Sequence, residues 1–385
     1  MKVAFIHNDK KLGTGAHFIN DIMAHRLRES GVRVKNFYPK TPLLDAPLHL
    51  KGLSNILFFY SLLEHKDAIL KYDLIQGTTY TPLAFLPFSI PVVSHFGSTS
   101  WGFLKAVPLA KDLEPALRKI WSTLKDEGVI RELNVRTRRP LQDVAEIEQF
   151  VALRANAVIA TSNIVKQDLL GVGVSEKNIH IVPNAIEDYW FERKPAEVLD
   201  DPGLVYLGRM GTDVFTLKLK GLDRLIDYYQ YFQNTPKHTI GITMNSQLVD
   251  WCDRKIPNHH FYSNVKKERI PDLLGDKYGS ILLVTSRYEG FSLSLIEGMS
   301  QGLIPVIYPV GIAPEIIKNG KNGFLVKSQA EGKAVIGRLL RMSKNRRQKL
   351  AQSAQETARK FNSKIIGKRL LDVYSKTLKK QSAVI

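Results

Sequence analysis

Short apolar runs alternate along the chain with longer stretches whose apolar residues recur every three to four positions. Residues 2–6 form the first run. Gly13-Thr14-Gly15 follows, then Ile19, Ile22, Met23 and Leu27 at helical spacing. This pattern predicts a strand, a glycine-rich turn and a helix. Further strands are predicted at residues 73–76, 91–94 and 157–160, with helical patterns and loops between them. Pro183, Pro195 and Pro202 then interrupt the chain, and the alternation restarts at residues 204–207, 239–243, 260–262, 281–284 and 306–308. Short, largely apolar strands with helical patterns between them predict parallel sheets. Two such series predict an α/β protein of two doubly wound, Rossmann-like domains facing a central cleft. The expected division is 1–188 and 189–362, with a final helix over 363–385.

Composition narrows this picture. With 385 residues and 44% hydrophobic content the chain is long enough for two cores. A single cysteine, Cys252, excludes an internal disulfide and fits a reducing compartment. The first apolar run is too short for a secretory signal, and no stretch approaches a membrane span, so a cytoplasmic protein is expected. The net charge of +18 is uneven: residues 327–385 hold 16 basic and 3 acidic side chains. Such a surplus suits an anionic partner, whether nucleic acid, anionic lipid or phosphorylated substrate, and equally suits a solvated helical face.

The most informative stretch is residues 288–302, Y-E-G-F-S-L-S-L-I-E-G-M-S-Q-G, between two predicted strands. Glu289 falls in the loop after the first strand, where open α/β sheets bind ligands. Gly290 permits a tight turn beside it. Ser292 or Ser294 can open the following helix, leaving free N–H groups aimed at the loop. Glu297 lies on that helix. A helix N-terminus suits a phosphate, and the two carboxylates suit sugar and ribose hydroxyls. Ser294 and Glu297 also fit a capping box, and Glu289 also fits an ordinary solvated loop acid.

E-G-F-S-L-S-L-I-E closely resembles the E-x7-E signature of family-four retaining glycosyltransferases, with Ser292 where the family commonly has glycine. The similarity continues in order through I-H-I-V-P-N-A-I-E at 179–187, the L-G-R ending at Arg209, K-G-L-D-R-L-I at 220–226 and G-K-N-G-F-L-V at 320–326. The resemblance implies the GT-B architecture, with residues 1–188 on the acceptor side, 189–362 binding the nucleotide-sugar, and the last helix crossing back to the first domain. It implies that Glu289 contacts the transferred sugar and Glu297 the ribose diol. The backbone groups of Gly290, Phe291, Ser292 and Leu293 would cradle phosphate. Read from its own residues, the loop at Gly13 and Gly15 fits either a cradle for part of the nucleotide-sugar or acceptor, or a bare tight turn, because Phe18 stands where G-x-G-x-x-G needs its third glycine. His95, at a strand end like the family's V-x-x-H-G, would hydrogen-bond the donor sugar or orient the acceptor. Ala185 stands where the family has glycine.

Breaking a sugar–diphosphate bond builds negative charge on the leaving oxygen. Asp200-Asp201 is adjacent and no D-x-D pair occurs, so no metal and no cofactor are expected. Arg209 and Lys220 are the candidate cations, with Lys218 nearby as the competing lysine. The expected activity is metal-independent, retaining transfer of a hexose or N-acetylhexosamine, UDP-linked by family frequency, to a glycan or glycolipid of the cell envelope or an exopolysaccharide. Two other readings stay open: a sugar-nucleotide 2-epimerase of the same architecture, and a basic, non-enzymatic nucleic-acid binder. Against the latter, the basic tract lacks interleaved aromatics and any recognition-helix motif, so no nucleic-acid partner is expected. Leu117, Ile120, Trp121 and Leu124 form an apolar stripe beside Arg118, Lys119 and Lys125, with Arg131, Arg136, Arg138 and Arg139 following. The stripe fits either a core face or reversible docking of the first domain on an anionic inner leaflet.

Overall fold

The computed structural model describes residues 1–8, 15–40, 51–134, 139–193, 197–211, 213–243 and 245–382. The chain divides into two compact units. One comprises Met1–Leu104, Arg138–Glu187 and Phe361–Ile385, the other Lys105–Thr137 and Asp188–Lys360.

The first unit is built on six strands: β1 (Lys2–Ile6), β2 (Arg33–Phe37), β3 (Leu74–Thr78), β4 (Val92–Phe96), β5 (Ala157–Ala160) and β6 (Ile179–Ile181). They lie in the order β2-β1-β3-β4-β5-β6, every neighbouring pair parallel. All residues of β4 and β5 are buried, as the central strands of a sheet between two helical layers must be; in β4 these include the polar Ser94 and His95. Chain direction reverses across the sheet between β1 and β3. The last helix, Ser363–Ser382, packs within this unit. There Arg26 Nε donates to Ser363 Oγ at 2.6 Å, and the buried Tyr374 hydroxyl bonds Gln76 on β3. Gly13 lies outside the described residues, and Gly15 opens the helix Gly15–Glu29.

The second unit holds β7 (Leu204–Leu207), β8 (Lys237–Gly241), β9 (His259–Ser263), β10 (Ile281–Val284), β11 (Ile304–Ile307) and β12 (Phe324–Leu325). Their order is β12-β11-β10-β7-β8-β9, again all parallel. The chain runs outward from β7 to β9, then returns to the other side of β7 and runs outward again from β10 to β12. The reversal therefore lies between β7 and β10, so the crevice beyond their carboxyl ends is this sheet's natural ligand position. Ile281 sits opposite Leu204, which brings Gly208-Arg209 and Thr285-Ser286 out side by side.

One expectation is corrected here. Residues 105–137 fall in the second unit rather than in the first. The helix Pro115–Asp126 packs on the helix Leu222–Tyr231, and Leu117, Ile120, Trp121 and Leu124 are all buried. The apolar stripe is thus core, not a face for a membrane, because a neighbouring helix in its own unit covers it. Arg136 and Arg138 lie outside the described residues. Among the described residues no helix is long and apolar enough to cross a membrane.

Candidate active site

The crevice at β7 and β10 is assembled by close backbone approach. Gly221 adopts φ +67°, and a Cβ there would sit 2.0 Å from the Thr285 carbonyl oxygen. Only glycine lets these segments meet. Thr285 Oγ1 donates to the Lys220 carbonyl at 2.9 Å, closing the contact. Behind it the Arg287 guanidinium forks onto Asp223, at 2.8 and 2.6 Å, and also donates to the Lys218 carbonyl at 2.7 Å. Both partners are buried. A bidentate, enclosed pair of this kind fixes geometry, and breaking it leaves a buried charge.

This framework settles where the two lysines point. Lys218 is 1% exposed, and its ammonium donates to Pro108 O at 3.2 Å and to Asn134 Oδ1 at 3.1 Å. It ties Pro108 and Asn134 to the helix Val214–Leu219. Lys220 faces the crevice, with Nζ 2.6 Å from Glu289 Oε1. Ser286 Oγ donates to the same oxygen at 2.7 Å. Beneath them the Tyr206 phenol is buried, and burial first, then the Glu289 charge, push its pKa up. Arg209 stands one residue, Gly208, beyond the end of β7 and is exposed.

The segment after Glu289 forms the cradle. Ser292 takes a left-handed conformation, φ 78° and ψ 76°, and the helix Leu293–Ser300 begins immediately after it. The Ser292 side chain does not cap this helix, and its first N–H groups, like those of any helix, have no intrahelical acceptor. The Ser292 hydroxyl is buried and has no hydrogen-bond partner among the described residues. Phe291 is buried; its carbonyl accepts from Ile312 N at 3.0 Å, a contact that needs Gly311, where a Cβ would lie 2.4 Å from that oxygen. The capping-box alternative fails. Ser294 lies inside the helix, and Glu297, in its second turn, has its carboxylate 3.5 Å from Lys267 Nζ.

The second unit thus brings together Arg209, Lys220, Glu289, Gly290, Phe291, Ser292, Leu293 and Glu297. His95 and Gly15 belong to the first unit. His95 sits on β4, where burial lowers its pKa to about 4, so it is neutral near pH 7. With Gln76 and Asn184 it lines a cavity of about 10 Å³. Sequence reasoning missed Ser286 and Lys267, the partners of the two glutamates. It also missed Glu148, buried in the helix Arg139–Arg154, whose carboxylate accepts from Ser100 N at 2.8 Å beyond the end of β4. Burial pushes Glu148 up to about 7 against hydrogen bonds from Ser100 and Thr79. Ser286 was signalled by its place three residues before Glu289. Nothing local marks Lys267 or Glu148. Asp200 is bound at 2.6 Å by Lys344, away from the crevice residues.

Known proteins place this arrangement. Residues 20–188 match Glycosyltransferase Family 4, and residues 191–361 match Glycosyl transferases group 1. An uncharacterized 41.2 kDa protein in the cps region of Klebsiella pneumoniae is 25% identical over 197 residues, 49% of this chain and 52% of that relative. The match thus spans about half the length of the relative. Sucrose-phosphate synthase from Thermosynechococcus elongatus superposes with TM-score 0.74 at 15% identity, covering 98% of this chain and 99% of that one. Anabaena HepE in complex with UDP-glucose gives 0.66 at 17%, covering 98% and 100%. WaaG, a glycosyltransferase involved in lipopolysaccharide biosynthesis, gives 0.67 at 16%, covering 96% and 99%. These likenesses are of fold: two Rossmann-like domains of the GT-B type. The chain belongs to the family-four, group 1 glycosyltransferases.

Proposed function

We propose that the protein transfers a hexose or N-acetylhexosamine, with retention, from a UDP-sugar to a glycan or glycolipid acceptor in envelope or capsule-type polysaccharide synthesis. The observation that carries this is the Lys220–Glu289 pair at the reversal point of the second sheet, beside a helix start that the Ser292 side chain leaves uncapped. UDP-glucose bound to the HepE fold relative and the cps-region location of the Klebsiella relative support the donor and acceptor classes.

In this reading the donor diphosphate lies against the first turn of Leu293–Ser300, and Lys220 moves from Glu289 to a phosphate oxygen. Arg209 takes the other phosphate. Glu289, freed from the lysine, accepts from sugar hydroxyls, and Glu297 accepts from the ribose diol. The anomeric C1–O bond to the β-phosphate breaks as the acceptor oxygen bonds C1 on the same face. The acceptor proton passes to the leaving phosphate, so no side-chain base is needed. Lys220 and Arg209 offset the charge growing on that phosphate, so the reaction needs no metal.

Incubation with UDP-, GDP- and ADP-sugars and an oligosaccharide acceptor, followed by NMR of the product's anomeric proton, tests this. The expected result is an α-linked product from an α-linked UDP-sugar, undiminished by EDTA. Inversion, activity lost in EDTA and restored by Mg²⁺, or donor isomerisation without transfer would each overturn it.

A further inference from the structure

The second unit carries another concavity, of about 750 Å³, within the size range of small-molecule sites. Its wall is formed by the turn before β12, the end of the helix Gln329–Leu340 and the start of the helix Lys344–Ala358. Lys321, Arg338, Arg341, Arg346 and Lys349 line it, and no acidic side chain does. None of these five forms an ion pair among the described residues, and all are exposed. The nearby carboxylate of Asp200 is already held by Lys344, which is not part of the lining. Phe324, Met342 and Leu350 supply the apolar part of the wall, with the Arg338 guanidinium 5.3 Å from the Phe324 ring centroid.

This basin is not the donor crevice. Gly320 and Lys321 precede β12, so they lie toward the amino end of that strand, whereas Lys220 and Glu289 lie beyond carboxyl ends. The helix Gln329–Leu340 runs back along the sheet between the two levels, and Arg338 is nine residues from its start, about 14 Å along the axis.

Three guanidinium forks and two ammonium groups around one basin match an anion with several closely spaced oxygens. One phosphate cannot engage five cations spread over this volume. We infer that the basin is a second anion site, distinct from the donor crevice, that takes a soluble diphosphate-bearing ligand.

Calorimetric titration of the full chain with inorganic pyrophosphate, in saturating UDP to fill the donor crevice, tests the inference. One equivalent is expected to bind. The Arg341→Ala/Arg346→Ala variant, altered only at exposed side chains, is expected to lose about tenfold or more in pyrophosphate affinity with its melting temperature and UDP affinity unchanged. Lys220→Ala is expected to leave pyrophosphate binding in UDP intact. Absence of binding under saturating UDP, or binding indifferent to the arginine pair, would overturn it. So would arginine-dependent binding to phosphatidylglycerol vesicles without binding of free pyrophosphate, which would make the basin a membrane contact.

Discussion

Lys218 and Lys220 stand two positions apart on one short stretch and have opposite surroundings. Lys218 is enclosed by Pro108 O and Asn134, so Lys218→Ala is expected to cost about 1.5–3 kcal/mol of stability and little activity. Lys220→Ala is expected to leave the melting temperature near that of the parent while turnover falls; thermal unfolding and kcat on the two variants check the contrast. Ser292 offers a different trade. Its left-handed backbone and unpartnered buried hydroxyl both disfavour serine in the unliganded fold. Ser292→Gly is expected to raise stability by about 1–2 kcal/mol and to weaken donor binding if the hydroxyl meets a phosphate oxygen. Equal stability of the two proteins would remove the strain argument. Glu148 gives a pH signature. Its folded pKa, about 7, lies above the ordinary carboxyl value of 4.5, so its contribution is full below 4.5 and is lost as pH rises through 7. Glu148→Gln is therefore expected to gain up to about 3 kcal/mol relative to the parent between pH 4.5 and 8. His95 acts oppositely. Its depressed value near 4 gives stability that is present above 6.5 and lost as pH falls through 4. Urea titrations of both proteins at pH 5 and 8 separate the two; an unchanged difference would contradict the Glu148 assignment.

At the scale of elements, the strands easiest to read are the central ones. β4, β5, β7, β10 and β11 are buried at every position, and all but β4, where Ser94 and His95 follow Val92-Val93, stand in the sequence as apolar runs. Edge strands are harder. β2, R-V-K-N-F, alternates exposed and half-buried positions before one buried phenylalanine and carries no continuous apolar signal, and β12 is only two residues long. The loop and helix bearing Glu289 and Glu297 were legible because their chemistry is local in sequence. The helix Pro115–Asp126 shows the limit. Its stripe is unambiguous, but what covers it is a helix about a hundred residues later, and no local pattern can name that partner. Trp121, fully buried there with the Lys218 ammonium 5.7 Å from its ring, makes the core reading testable. Trp121→Ala is expected to cost about 3–5 kcal/mol. Loss of vesicle binding at unchanged stability would reinstate the membrane face.

For the whole molecule, two parallel sheets of six strands followed from the repeated alternation of apolar runs and helical patterns. The inclusion of residues 105–137 in the second unit did not, because it depends on contacts such as Lys218 with Pro108 and Asn245 with Val129 that join distant parts of the chain. Charge was legible as a sum but not as a map. Part of the excess lies around one basin at the β12 edge of the second sheet, formed by Lys321 and four side chains between residues 338 and 349. The account's central claim is that the crevice at β7 and β10 holds a donor diphosphate through Lys220 and Arg209. Calorimetric titration of UDP into the parent, Lys220→Ala, Arg209→Ala and Lys218→Ala proteins tests it most directly. Each of the first two substitutions is expected to weaken UDP binding by about 1.5–3 kcal/mol, with Lys218→Ala close to the parent. UDP affinity indifferent to Lys220 and Arg209, or lost only with Lys218, would contradict it.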